Sequence, residues 1–103
     1  MAKQITAAEF QNEVLNSKDT VLVDFFATWC GPCQAMIPVL DELSNELPAG
    51  KKVVKIDIDQ APEIAAQYGV MSIPTFKVFK DGQIVNEALG MQSKEALIEM
   101  MNV

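Results

Sequence analysis

The run Cys30-Gly31-Pro32-Cys33 holds the only two cysteines of the chain. It follows a strongly apolar stretch, Val21 to Phe26, and precedes a segment with helical periodicity. A strand, a tight turn carrying two thiols and a helix must therefore succeed one another. With two residues between them, both thiols fall on the first turn of the helix, because positions i and i+3 share one helical face. Such a turn keeps the sulfurs near bonding distance in either redox state. Gly31 permits close approach of a substrate backbone. Pro32 is tolerated because the first turn has no helical acceptor for its missing N–H. Cys30 is expected at or just before the helix start, with its sulfur exposed. Unpaired N–H groups and the helix dipole there favour a thiolate. Cys33 lies one step deeper. This asymmetry assigns Cys30 to attack a substrate disulfide and Cys33 to resolve the mixed disulfide. The competing readings are an inert structural disulfide, or a zinc or iron–sulfur site shared between two chains, since two cysteines cannot fill a four-thiolate site.

A chain of 103 residues fits one domain, residues 1–103, and half of them are apolar, enough for one core. There is no histidine, which removes cysteine–histidine catalysis and histidine metal ligation. Net charge is -6, from 8 basic and 14 acidic residues, which argues against nucleic acid and anionic membranes as partners. No apolar stretch approaches the roughly 18 residues of a transmembrane helix. Glu9 and Glu13 come closely after Met1-Ala2-Lys3-Gln4, so no signal-peptide core is present and a cytoplasmic location is expected. There, a lone C-x-x-C near a βαβ pattern reads as redox-active. G-x-G-x-x-G is absent, and with it any sign of a nucleotide site.

Lys3 to Ile5 suits a short edge strand. Thr6-Ala7-Ala8-Glu9 has capping-box form, opening a helix with Phe10, Val14 and Leu15 on its inner face. Val21 to Phe26 reads as a central strand covered on both faces. Met36, Ile37, Leu40, Leu43 and Leu47 mark the next helix, with Pro38 inside it predicting a kink. Val53 to Ile58 is the next strand. Pro62 and Gly69 bracket a short helix. Thr75 to Lys80 alternates as a strand, Asp81-Gly82 signals a hairpin, and Gln83 to Leu89 returns. Ser93 caps a last helix with Leu97, Ile98 and Met101 inward. The order βαβαβαββα predicts an α/β fold: a mixed five-stranded central sheet flanked by four helices, its first three strands parallel and its closing hairpin antiparallel.

Trp29-Cys30-Gly31-Pro32-Cys33 resembles the active-site pentapeptide of thioredoxins. The likeness extends over the whole chain, through Asp24, Pro38, Asp57-Ile58-Asp59, Tyr68-Gly69-Val70, Ile73-Pro74-Thr75, Phe79-Lys80-Asp81-Gly82 and Gly90. Glutaredoxins carry Pro-Tyr between the cysteines and strong periplasmic oxidants Pro-His, so Gly-Pro is similar to the reducing branch. Thioredoxins are a standard example of a lowered cysteine pKa and a reducing potential, and the resemblance implies both for this chain.

Asp24 interrupts an apolar strand six residues before Cys30. Read alone, it is either a solvated strand-end carboxylate or a buried acid of raised pKa that takes the Cys33 proton through water. The resemblance implies the second. It also implies that Lys55, on the adjacent strand, pairs with Asp24, and that Pro74 comes after a cis peptide bond beside the dithiol. Trp29, Ile58, Ile73, Pro74, Gly90 and Met91 would line a shallow substrate-binding surface. Read alone, Ile58 and Ile73 fit core packing better. Phe26, Gln34 and Ser72 depart from the commonest family pattern, which bears on partner choice and potential. Loss of a cation at Gln34 is expected to weaken thiolate stabilisation slightly.

The family's activity is reduction of protein disulfides. No cofactor is bound beyond the redox-active Cys30–Cys33 disulfide. Electrons come from NADPH through a separate flavoprotein, thioredoxin reductase. Family substrates include ribonucleotide reductase, peroxiredoxins and methionine sulfoxide reductases. A monomer is expected. The rivals are an oxidase or isomerase working in the opposite direction, and a binding subunit whose dithiol is dispensable.

Overall fold

The computed structural model describes Met1 to Val103. Its frame is β1 (Lys3–Ile5), β2 (Thr20–Phe26), β3 (Lys51–Asp57), β4 (Thr75–Lys80) and β5 (Gln83–Leu89), in sheet order β1-β3-β2-β4-β5. All seven residues of β2 are buried, as its unbroken apolar run requires of a central strand. β3 runs parallel to both β1 and β2, while β4 is antiparallel to β2 and to β5. The mixed sheet predicted from the element order is therefore present.

Helices α1 (Gly31–Glu46), α2 (Pro62–Gln67) and α3 (Lys94–Met100) join a single π-helical turn, Gln11–Leu15. The capping box forms: Glu9 N–H donates to Thr6 Oγ1 at 3.2 Å and Thr6 N–H to Glu9 Oε1 at 2.9 Å. Beyond the box, the expected α-helix gives way to the π turn. The Asn16 N–H reaches back five residues to the Gln11 carbonyl at 2.8 Å, and the Gln11 amide donates to Asn16 Oδ1 at 3.0 Å. The segment is too short to hold an α-helix against that side-chain bond, yet Phe10 and Val14 are buried as predicted.

Side chains of β2 alternate between two core layers. Leu22 packs with Met36, Leu40 and Leu43 of α1 and Leu97 of α3. Val21, Val23 and Phe25 pack on the other face with Phe10, Val14 and Ile56. Met100 is buried beside Met101, at the i+3 position from Leu97, and joins the expected inward set of this helix. β4 also departs from expectation. Its alternating pattern predicts one wet face, but Thr75 to Phe79 are all buried. Lys77 lies in that run with its ammonium 2.9 Å from Glu87 on β5, so its stem is covered while its charge is paired at the sheet edge. Pro38 sits within α1 on an exposed position, and the helix continues to Glu46. No helix is long and apolar enough to cross a membrane.

Candidate active site

β2 ends at Phe26, and Ala27 to Trp29 turn the chain into α1. Cys30 is the N-cap, in extended conformation (φ -88°, ψ 113°), with Gly31 and Pro32 opening the helix. Its Sγ accepts the Cys33 N–H at 3.1 Å. One of the unpaired amides of the first turn thus points at the sulfur, the arrangement that stabilises negative charge there. The two cysteines are joined as a disulfide across that turn, with Cα atoms 5.2 Å apart.

Neither sulfur-bearing residue stands free. Cys33 is 2 % exposed, and Cys30 only 5 %, against the expectation of an exposed Cys30. Both pack with Phe26 and Ala27 and against Ile58 and Ile73. The cause is tertiary: the Ile73–Pro74 segment, which contains a cis peptide bond, lies over the turn and brings the Ile73 carbonyl oxygen to 3.9 Å from Cys30 Sγ. That segment is held in turn by the Gly90 N–H on the Pro74 carbonyl at 2.8 Å and by the Thr75 hydroxyl on the Ser72 carbonyl at 2.5 Å. Gly90 adopts φ +79°, a conformation that favours glycine. Exposure lies instead on neighbouring parts of the chain: Trp29 is 70 % exposed, Met71 96 % and Met91 56 %. Ile58 and Ile73 are half-buried against the dithiol, and Pro74 is buried.

Leu22, Asp24 and Phe26 share the α1 face of the sheet by alternation. Asp24 is 1 % exposed, and its Oδ1 has no hydrogen-bond partner. Burial pushes its carboxyl up to about 7, while the charge of Lys55 pulls it part of the way back. Lys55 is the register partner of Asp24 across β2 and β3. It does not form an ion pair with Asp24; its ammonium lies 5.3 Å from the centre of the Phe26 ring. The predicted pairing is thus a through-space one, because the aromatic face takes the cation.

Asp59 has no local feature in the sequence that gives it a role, yet its Oδ2 accepts the Trp29 indole N–H at 2.8 Å. The Asp59 N–H in turn donates to Asp57 Oδ1 at 2.8 Å. Thirty positions separate Asp59 from Trp29. Only the β2–β3 register, which sets Phe26 opposite Asp57, brings them together. Gln34 comes directly after the dithiol and donates to the Thr28 carbonyl at 3.0 Å, closing the turn without adding charge.

Two sulfurs joined across the first turn of α1 can be opened and closed again by exchange with another disulfide, which is the chemistry of a thiol–disulfide oxidoreductase. The thioredoxin family model matches residues 1–103. The chain is 45 % identical over 102 residues to a thioredoxin of Rickettsia felis, covering 99 % of this chain and 97 % of that one. It is 47 % identical over 102 residues to a thioredoxin of Listeria monocytogenes, with the same coverage. A thioredoxin of Pyropia yezoensis is 48 % identical over 99 residues, covering 96 % and 92 %. The chain belongs to the thioredoxin family, and its Cys30–Cys33 pair is that of a protein-disulfide reductase.

Proposed function

We propose that residues 1–103 act as one domain that reduces protein disulfides in the cytoplasm, with Cys30 as nucleophile and Cys33 as resolving thiol. The Cys30 thiolate attacks one sulfur of the substrate disulfide. A Cys30–substrate bond forms and the other substrate sulfur leaves as a thiolate. The Cys33 thiol gives its proton through water to the Asp24 carboxylate and attacks Cys30 Sγ. The second substrate thiolate departs, the substrate has gained two electrons, and the Cys30–Cys33 disulfide remains. Asp24 suits the proton transfer because an acid near neutrality both takes and returns a proton. Lys55 tunes Asp24 through its charge. Gly31 and Pro32 shape the turn, and cis-Pro74 with Gly90 presents the Ile73 backbone to an extended substrate segment. Trp29, Ile58, Ile73, Pro74, Gly90 and Met91 form the substrate-binding surface. The oxidised pair is returned to the dithiol by a thioredoxin reductase that draws on NADPH, and the chain works as a monomer.

The observation that carries this reading is the contrast between buried sulfurs and a broad, exposed apolar rim. Exposed Trp29 next to Cys30 and the Ile73 backbone 3.9 Å from Cys30 Sγ offer a partner a surface rather than an enclosed pocket, which suits a protein segment. The test is the reduction potential of Cys30–Cys33 in a glutathione or dithiothreitol buffer. For a two-electron couple, about 30 mV corresponds to about 1.4 kcal/mol. A potential at or below the cytosolic glutathione poise supports a reductase fed by NADPH. One well above it means an oxidant or isomerase.

A further inference from the structure

The six methionines divide sharply by exposure. Met36, Met100 and Met101 are buried, whereas Met1, Met71 and Met91 are exposed. Met1 is at the chain terminus, where its carbonyl accepts from Ser44. The other two stand on segments tied to the dithiol. Met71 stands two residues before Ile73, whose carbonyl touches Cys30 Sγ, and Met91 is next to Gly90, whose N–H holds the Pro74 carbonyl. Two thioethers open to solvent thus sit on the segment that reaches the reacting sulfur and on the one that holds that segment, with exposed Trp29 and Leu89 nearby in the chain and the Asp59 carboxylate, tied to the Trp29 indole, as a charge there.

From this placement, and resting on the docking role of that rim, we propose that Met71 and Met91 form a peroxide-sensitive modification site that turns substrate docking down without touching the dithiol. The thioether sulfur attacks one oxygen of a hydroperoxide. An S–O bond forms, the O–O bond breaks, and the proton shifts so that water (or an alcohol) leaves. The sulfur is oxidised by two electrons and the peroxide is reduced by two. The flexible apolar side chain becomes a polar, chiral sulfoxide. A sulfoxide dipole on the rim must be desolvated when a partner closes over it, so docking of a protein weakens. A small disulfide needs no such closure and is unaffected. The modification also persists through turnover, because dithiol exchange at Cys30 and Cys33 breaks no S–O bond.

The test uses the oxidised protein, in which the disulfide shields both cysteines from peroxide. It is treated with hydrogen peroxide, the added oxygens are mapped by peptide mass spectrometry, and rates are then read with dithiothreitol as reductant. Insulin serves as the protein disulfide and hydroxyethyl disulfide as the small one. Met71 and Met91 should oxidise alongside Met1 and well before Met36, Met100 and Met101. The rate constant kcat/KM for insulin should fall about tenfold, as expected for loss of a favourable contact, with that for hydroxyethyl disulfide unchanged. In M71L/M91L, whatever its starting rate, the ratio of treated to untreated rates with insulin should return to near one. Resistance of Met71 and Met91 at doses that oxidise Met1 would overturn the proposal. So would oxidation that leaves the insulin rate intact, or an equal fall for both substrates. If the untreated protein reduces the small disulfide but not insulin, the docking reading itself fails and this proposal with it.

Discussion

Asp24 keeps a proton near neutrality because almost no water reaches it and one of its oxygens is unpartnered. Burial raises its pKa from 3.8 to about 7 in the folded chain. Below the unfolded value both states are protonated and folding bears no penalty. As pH rises from the unfolded value to the folded one, the unfolded chain gains a solvated carboxylate while the folded one still holds its proton, so stability falls across that window and the loss is complete above the folded value. The full difference is worth about 4 kcal/mol as an upper bound. Asp24→Asn should therefore be more stable than wild type at pH 8, with the gap closing near pH 4; urea titrations across that range check it. In stopped-flow, the same variant should resolve the mixed disulfide more slowly while its first attack on substrate is spared. Equal rates for both steps would remove Asp24 from the proton path. Cys33→Ser should arrest the reaction as a stable Cys30–substrate adduct, visible as a mass increase equal to the bound partner, whereas Cys30→Ser should give none. The two thiols stood out as single residues, whereas Asp24 read alone left a solvated and a buried carboxyl open, and its burial came from the fold. The role of Asp59 was not, because nothing local to an aspartate after a strand predicts an indole thirty positions earlier.

At the scale of elements, most boundaries came from local chemistry. Ser93 caps α3 with its Oγ accepting the Ala96 N–H at 3.1 Å, as its place before a helical pattern predicts. Ser93→Ala should lower stability by about 1 kcal/mol in chemical denaturation. The β4–β5 hairpin turns on Asp81 (φ 52°) and Gly82 (φ 76°), the left-handed pair that an Asp-Gly dipeptide allows. A methyl at Gly82 would stand 2.9 Å from the Leu15 carbonyl oxygen, backbone that cannot swing aside. Gly82→Ala should therefore destabilise by roughly 1–3 kcal/mol, combining a strained φ with that clash, whereas Gly31→Ala meets nothing within 4 Å and should fold normally. Thermal unfolding of the two variants distinguishes them. The π-helical turn at Gln11–Leu15 is not legible in the sequence, because apolar spacing marks which residues turn inward, not which carbonyl each N–H selects.

Across the whole molecule, the sheet divides the core into two layers that share few side chains. Leu40→Ala on one face and Ile56→Val on the other should destabilise by about 2–5 and 0.5–1.5 kcal/mol respectively. Their effects should add to within about 0.5 kcal/mol in the double variant, measured by urea unfolding. A larger discrepancy would mean that the two layers repack together. The order of strands and helices, the inward faces of the helices and the redox turn were present in the sequence itself, since each depends on residues close together in the chain, and the family was present in motifs spread along it. The buried state of Cys30, the run of buried residues in β4, the cation of Lys55 resting over Phe26 and the Asp59–Trp29 bond were decided only by the tertiary structure. Each depends on which strand lies beside which and which loop crosses the sheet end, and such long-range choices leave no mark on the local pattern that a sequence displays.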